Sequence, residues 1–236
     1  MRSSRSVPDL LDPGPKGFAH RGLHAVGIPE NSLSAFAAAV EFGAGIECDL
    51  RLTADDRILV FHDADASRMC GINQRVGQST LQELASLRVG GDPIPTLSAL
   101  LELVGGRVPL LLEVKTEGDA RRWPRALAHD LAGYRGAFGV MSFSPWLGRL
   151  LKSKADFLRG LVVRSTLPPF RRRLAIQLAA PDFLAIDRAA LDQPWVERMR
   201  QSVPVYSWTI RTPARRAQAE VQADALIWEA DGRPRI

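Results

Sequence analysis

From residue 17 onward the chain alternates short apolar runs with segments of helical periodicity. The runs are GFAH (17–20), GIECDLRL (45–52), VPLLLEVK (108–115), FGVMSF (138–143), LRGLVV (158–163), DFLAID (182–187), VPVYSW (203–208) and ADALIW (223–228). Four to eight residues is strand length, and apolar runs of that kind suit strands covered on both faces. Strands separated by helices pair in parallel, because each crossover returns the chain to the same end of the sheet. Eight such units in 236 residues predict an α/β fold, a (β/α)8 TIM barrel, with a doubly wound sheet as the alternative. RILVFH (57–62) is then an accessory strand.

The helical segments carry their own punctuation. Leu33, Phe36, Ala37 and Val40 fall on one face of a helix over 31–42, with Asn31 placed to cap it and Gly43 to stop it. Thr96 precedes Leu97, Leu100, Leu101 and Val104, again one face. Further helices are expected near 80–87 and over 120–132 and 145–153. Residues 1–15 read as a flexible tail, 16–236 as the barrel domain, and 64–95 as a polar, irregular insertion after the second strand.

Composition narrows the function classes. With 46% hydrophobic and 24% charged residues the chain buries enough apolar surface to order itself. No run approaches the ~18 apolar residues of a membrane-spanning helix. The start, MRSSRSVPDLLDPGPKG, lacks the apolar middle of a secretory signal. Cys48 and Cys70 are too few for a disulfide framework or a zinc cluster, so a cytoplasmic protein is expected. The net charge of +5 favours anionic partners without forming the dense basic stripe of a nucleic-acid binder, so no nucleic acid is expected. Pro168-Pro169-Phe170-Arg171-Arg172-Arg173 suits weak contact with an anionic membrane surface, or simply a solvated helix start.

In a (β/α)8 barrel, chemistry sits at the C-terminal ends of the strands. His20 and Arg21 follow the first strand, His62 the accessory strand, and Glu113 and Lys115 end the third. Glu47 and Asp49 lie two apart on the second strand and so share one face. Two buried carboxylates side by side need a cation between them. With Glu113 they make an oxygen-rich set suited to Mg2+ or Ca2+; the other reading is a salt-bridge cluster with Arg21, Arg51 and Lys115. Two histidines near such a cluster suit acid–base work, and Arg is a bidentate donor matched to phosphate. The set describes phosphate-ester hydrolysis better than acyl transfer. No G-x-S-x-G elbow surrounds Ser142 or Ser144. His24 and His129 sit at no expected strand end and read as surface or core residues.

These residues fall in a longer pattern: HRG (20–22), PEN (29–31), E-x-D (47–49), T-x-D (53–55) and HD (62–63), then IPTL (94–97), LLEVK (111–115), SF (142–143) and SWT (207–209). In order and spacing the chain resembles the glycerophosphodiester phosphodiesterase family from about Gly17 to Trp228. The resemblance implies a barrel enzyme that releases an alcohol and glycerol 3-phosphate from a small phosphodiester. By the same token His20 and His62 are its catalytic pair, either of them acid or base. Glu47, Asp49 and Glu113 are ligands for one divalent cation, Mg2+ or Ca2+. Arg21 and Lys115 contact phosphate, Trp208 lines the cleft, and the short insertion leaves the mouth open. Arg211 stands where the family often has Asn, and Ile227, Trp228 and Glu229 stand where its last strand often ends in Thr-Asp before Pro; these departures bear on the alcohol more than on the reaction. A lysophospholipase D-like enzyme and a non-catalytic phosphate-binding barrel are the alternatives.

Overall fold

The computed structural model describes residues 10–152 and 157–235. Along the chain, β1 (Phe18–His20) leads to α1 (Leu33–Phe42), β2 (Gly45–Leu52) and β3 (Ile58–Val60). The insertion follows, with α2 (Ser67–Cys70), α3 (Leu81–Leu84) and a hairpin of β4 (Arg88–Val89) and β5 (Asp92–Pro93). Then come α4 (Leu97–Val104), β6 (Leu110–Val114), α5 (Trp123–Asp130), β7 (Phe138–Ser142), α6 (Pro145–Lys152), β8 (Leu158–Val163) and α7 (Pro169–Ala179). The chain closes with β9 (Phe183–Asp187), α8 (Pro194–Arg200), β10 (Val205–Ile210), α9 (Pro213–Ala219) and β11 (Ala225–Trp228).

Among the described residues eight parallel strands run β1-β2-β6-β7-β8-β9-β10-β11, and β11 returns to pair with β1. The sheet is therefore a closed barrel rather than an open doubly wound sheet. β3 hangs antiparallel on β2 as the accessory strand, with Leu50 opposite Val60.

Period-2 alternation sorts every barrel strand into two rows. Ala19, Ile46, Cys48, Leu50, Leu110 and Leu112 point outward and pack with Phe36, Leu97, Leu100 and Leu127 of the helices. Phe18, Leu111, Met141, Val162, Phe183, Tyr206 and Ile227 point inward and form a dry floor. The large floor rings fit because three inward positions, Gly45, Gly139 and Gly160, have no side chain. A Cβ on Gly45 would lie 2.5 Å from the Phe18 ring, and one on Gly160 would lie 2.3 Å from the Phe183 ring. Followed upward, the inward rows end in polar side chains: His20, Glu47 and Asp49, Glu113, and Glu229 just beyond β11. The same parity that builds the floor delivers the chemistry to the mouth.

Three local readings need correction. The helix cap is Ser32, whose hydroxyl accepts from Ala35 N–H, and α1 starts at Leu33. Asn31 stands one residue outside in the left-handed region (φ 54°), because its side chain is held elsewhere. Of the tail expected over 1–15, residues 1–9 lie outside the described residues, and the rest is not free chain. Leu11 is 1% exposed and plugs the barrel floor against Phe183 and Phe18. The insertion also has a core of its own, in which Phe61, Ala66, Val76, Leu84, Leu87 and Val89 pack on Leu59.

Candidate active site

The carboxylates of Glu47, Asp49 and Glu113 converge at the top of β2 and β6, where Asp49 and Glu113 are register partners. Their oxygens lie within 4.8 Å of one another, and the residues are 1%, 1% and 8% exposed. Lys115 Nζ reaches into this group, 2.8 Å from Asp49 Oδ1 and in contact with Glu113 Oε1. Arg21 Nε lies 3.1 Å from Asp49 Oδ2, and its Nη1 donates to Glu30 Oε1 at 2.8 Å. Arg21 takes a left-handed backbone (φ 56°), unusual for a long side chain, which turns its guanidinium back over the strand end. Asn31 completes the frame: its Nδ2 donates to Asp49 Oδ2 (2.9 Å) and its Oδ1 accepts from Asp49 N–H (3.3 Å).

Three carboxylates thus meet two cations, and the compensation is unequal. Burial alone would push Asp49 up, but Lys115 and Arg21 outweigh it and hold Asp49 below the usual carboxylate range. Burial, then Asp49 and Glu113, push Glu47 well above that range. Burial and Asp49 likewise raise Glu113. Glu47 and Glu113 are therefore buried oxygens short of positive charge. Such a donor set, all carboxylate and under 4.8 Å across, fits one hard divalent cation of the Mg2+ or Ca2+ type. Arg51 stands outside the cluster: its Nε and Nη2 donate to the His62 carbonyl (2.8 and 2.6 Å), and its Nη1 lies 2.9 Å from Glu117.

The two histidines stand on different supports. His62 is one-third exposed, and its Nδ1 lies 2.7 Å from Asp63 Oδ1. Burial pushes its pKa below the ordinary value, against the pull of Asp49 and Asp63. Arg68 anchors Asp63 (Nε–Oδ2 2.6 Å) and also donates to Glu30, tying the insertion to the β1–α1 loop. His20, at the end of β1, has its Nε2 3.9 Å from Glu47 Oε2 and its Nδ1 against Glu229 Oε2. Glu229 is gripped in turn by Arg211 through Oε1. Burial would raise Glu229, but its hydrogen bonds, the one with His20 above all, hold it far below the carboxylate range. His24 also belongs to this corner, with Nε2 3.8 Å from Glu229 Oε2, instead of lying apart as expected.

Trp208 packs edge-on against Phe143 at 5.6 Å and donates from Nε1 to the Ala185 carbonyl (3.0 Å). Arg164 lies over the other partner, 4.4 Å from the Phe143 centroid, so one wall of the mouth is aromatic with a cationic edge. Glu30, Asn31 and Glu229 are the site residues that strand-end reasoning passed over. Glu30 and Asn31 were visible within the PEN triplet. Glu229 became visible only as a departure, paired here with Arg211, the other departure.

Residues 20–231 match the sequence profile of the Glycerophosphoryl diester phosphodiesterase family. A glycerophosphodiester phosphodiesterase of Caldanaerobacter subterraneus is 38% identical over 109 residues, covering 42% of this chain and 44% of that one. One from Bacillus altitudinis is 35% identical over 118 residues, 46% and 48% of the two chains. The chain thus spans less than half the length of these curated relatives. Among solved structures, a glycerophosphodiester phosphodiesterase from Thermotoga maritima superposes with a TM-score of 0.74 at 25% identity, covering 89% of this chain and 92% of that one. A phosphodiesterase from Oleispira antarctica, solved with the product sn-glycerol-3-phosphate, gives 0.82 at 23% identity, covering 92% and 94%.

Proposed function

Since the chain belongs to the glycerophosphoryl diester phosphodiesterase family, we propose that it hydrolyses small glycerophosphodiesters to an alcohol and glycerol 3-phosphate. The observation that carries this reading is the inward convergence of Glu47, Asp49, Glu113, Arg21, Lys115 and His20 on one barrel mouth, with His62 beside them. The product bound by the Oleispira enzyme is the one this reaction releases.

Glu47, Asp49 and Glu113 would hold one divalent cation, Mg2+ or Ca2+. When bound, such an ion supplies Lewis-acid stabilisation of charge on the phosphate oxygens. Arg21 and Lys115 orient the phosphate and offset its growing charge, in a site dry enough for those charges to count. His62, kept neutral by its burial, takes the proton of the nucleophile, either water or the neighbouring substrate hydroxyl. His20, at the end of β1, is the group placed to protonate the leaving alcohol. The acid–base part contributes about 10²–10⁴-fold. Trp208 and Phe143 bound the space for the alcohol. The free thiols of Cys48 and Cys70 suit a cytoplasmic setting.

A second reading keeps the chemistry and changes the alcohol. Val26, Ile72, Trp146 and Phe170 are exposed, and all four stand on connections that leave the C-terminal ends of strands. An apolar rim of that kind, with Arg171–Arg173 beside it, suits lysophospholipids met at an anionic surface. No helix among the described residues is long and apolar enough to cross a membrane.

The test is release of glycerol 3-phosphate from glycerophosphocholine and glycerophosphoethanolamine, and of choline from lysophosphatidylcholine. Each is run with Mg2+, Ca2+ or EDTA beside His62→Ala. Metal-dependent release from the soluble diesters, absent in the variant, supports the first reading. Release from the lysolipid alone supports the second. No release from any of the three leaves the phosphate-binding barrel.

A further inference from the structure

We propose that His20, His24 and Glu229 form a second metal site, for a borderline ion such as Zn2+, whose occupation blocks turnover. Their donor atoms lie within 4.8 Å of one another, on the far side of His20 from the carboxylate cluster. His20 Nδ1 faces Glu229 Oε2, while its Nε2 faces Glu47. The second imidazole arrives from the β1–α1 loop, with His24 Nε2 3.8 Å from the same Glu229 oxygen. That is ion-pair range but too long for a hydrogen bond, and the buried His24 Nε2 atom has no hydrogen-bond partner.

The donor set decides the ion. Two imidazoles and one carboxylate, with a fourth position open, is the ligand pattern that Zn2+ takes in catalytic sites, whereas three carboxylates suit Mg2+ or Ca2+. Zinc bonds of about 2.0–2.2 Å place tetrahedral donors roughly 3.3 Å apart, so modest side-chain rotation closes the observed gaps. Arg211 holds Oε1 of Glu229 and leaves Oε2 for the ion. The side chains of His24 and Glu229 are 26% and 16% exposed, which gives an ion a route in from solvent. An ion on His20 Nδ1 displaces the Glu229 contact and sets a positive charge against the ring. With Nδ1 taken, the ring keeps a single proton on Nε2 and no longer forms the imidazolium that would protonate the leaving alcohol. The binding stands on this geometry alone; the block of turnover rests on the hydrolase reading given above.

The test titrates Zn2+ against a chromogenic chelator, with the protein held in excess Mg2+ or Ca2+ to fill the carboxylate site. Co2+ absorption reports the geometry of the same site. Wild type should bind one Zn2+ under these conditions. Since losing even an outer-shell partner weakens metal sites about 10–100-fold, His24→Ala should bind at least about tenfold more weakly. His24→Gln serves as a second variant with a side chain of closer size. The turnover that each variant keeps without zinc should resist zinc concentrations that inhibit wild type. Equal zinc affinity in wild type and both variants overturns the proposal. Weakened zinc binding in the variants, with no turnover in any of the proteins, keeps the site and overturns the hydrolase reading.

Discussion

Glu47→Gln should make the metal-free protein more stable while destroying its activity. Glu47 is 1% exposed, within 4.8 Å of two other carboxylates, and the nearby cations are engaged mainly by Asp49. At that separation and an effective dielectric constant of about 20, each like-charge pair opposes folding by at least about 3.5 kcal/mol. Lys115 and Arg21 offset only part of this, each counting for less at Glu47 than Asp49 or Glu113 does, and the desolvation of the Glu47 carboxylate adds to it. The amide removes the charge and keeps the contacts. Its oxygen still accepts from Arg21 N–H, now 3.2 Å from Glu47 Oε2, and its NH2 finds carboxylate acceptors in Asp49 and Glu113. The gain should be about 1–2 kcal/mol, the usual scale for relieving a functional site. At this chain length that is a rise in Tm of about 2–8 °C in EDTA.

The pH dependence gives the sign independently. A carboxyl whose folded pKa is raised adds stability below its unfolded value and loses it as pH rises through the folded value. The advantage of the amide should therefore be small near pH 4 and grow as the pH rises. Adding Mg2+ or Ca2+ at 100 times its Kd should stabilise wild type by about 2.7 kcal/mol and the variant by clearly less, erasing or reversing the order. Thermal unfolding across pH, with EDTA or metal, reads all of this. A variant less stable than wild type in EDTA at pH 8 would refute the uncompensated-charge argument.

Glu229→Gln should lower kcat by a factor bounded by the ~10²–10⁴ of the acid–base step, with KM little changed, and Glu229→Asp should recover part of it; a pure KM effect counts against a positioning role. Because burial depresses the His62 pKa, kcat/KM should hold down to about pH 6.5 or below before protonation removes the base; an acid limb starting well above that pH argues against His62 as the base. Gly160→Ala drives a Cβ to 2.3 Å from the Phe183 ring and should cost about 1–3 kcal/mol of stability with activity kept below the lowered Tm, and Phe183→Leu in the same chain should recover part of that loss.

What the residues disclose and what they hide divide along physical lines. The eight strands are legible because a strand buried on both faces leaves an apolar run whatever surrounds it. Glu47 and Asp49 are legible because two-residue spacing fixes their common face without knowledge of the fold. The place of Asn31 is not, since the PEN triplet gives no sign that its amide is drawn out of the helix toward Asp49, 18 residues away. Leu11 looks like tail because its partners, Phe183 and Phe18, come from strands far along the chain. Glu229 lies 209 residues from the histidine it holds, and no periodicity spans that gap. Nor does the sequence show that Arg211, 18 residues before it, is what grips its other oxygen.

The pairing of β1 with β11 also sets an order in which function can fail. His20 and Glu229 stand on either side of the seam where first and last strands meet, whereas Glu47, Asp49 and Glu113 lie on β2 and β6, across two intact ladders. An excursion that unzips the seam parts the histidine from its carboxylate and leaves the cation ligands in register. A form of the barrel opened at that seam would keep its three carboxylates together and its His20–Glu229 pair apart, so metal binding alone would not report the hydrolysis proposed above.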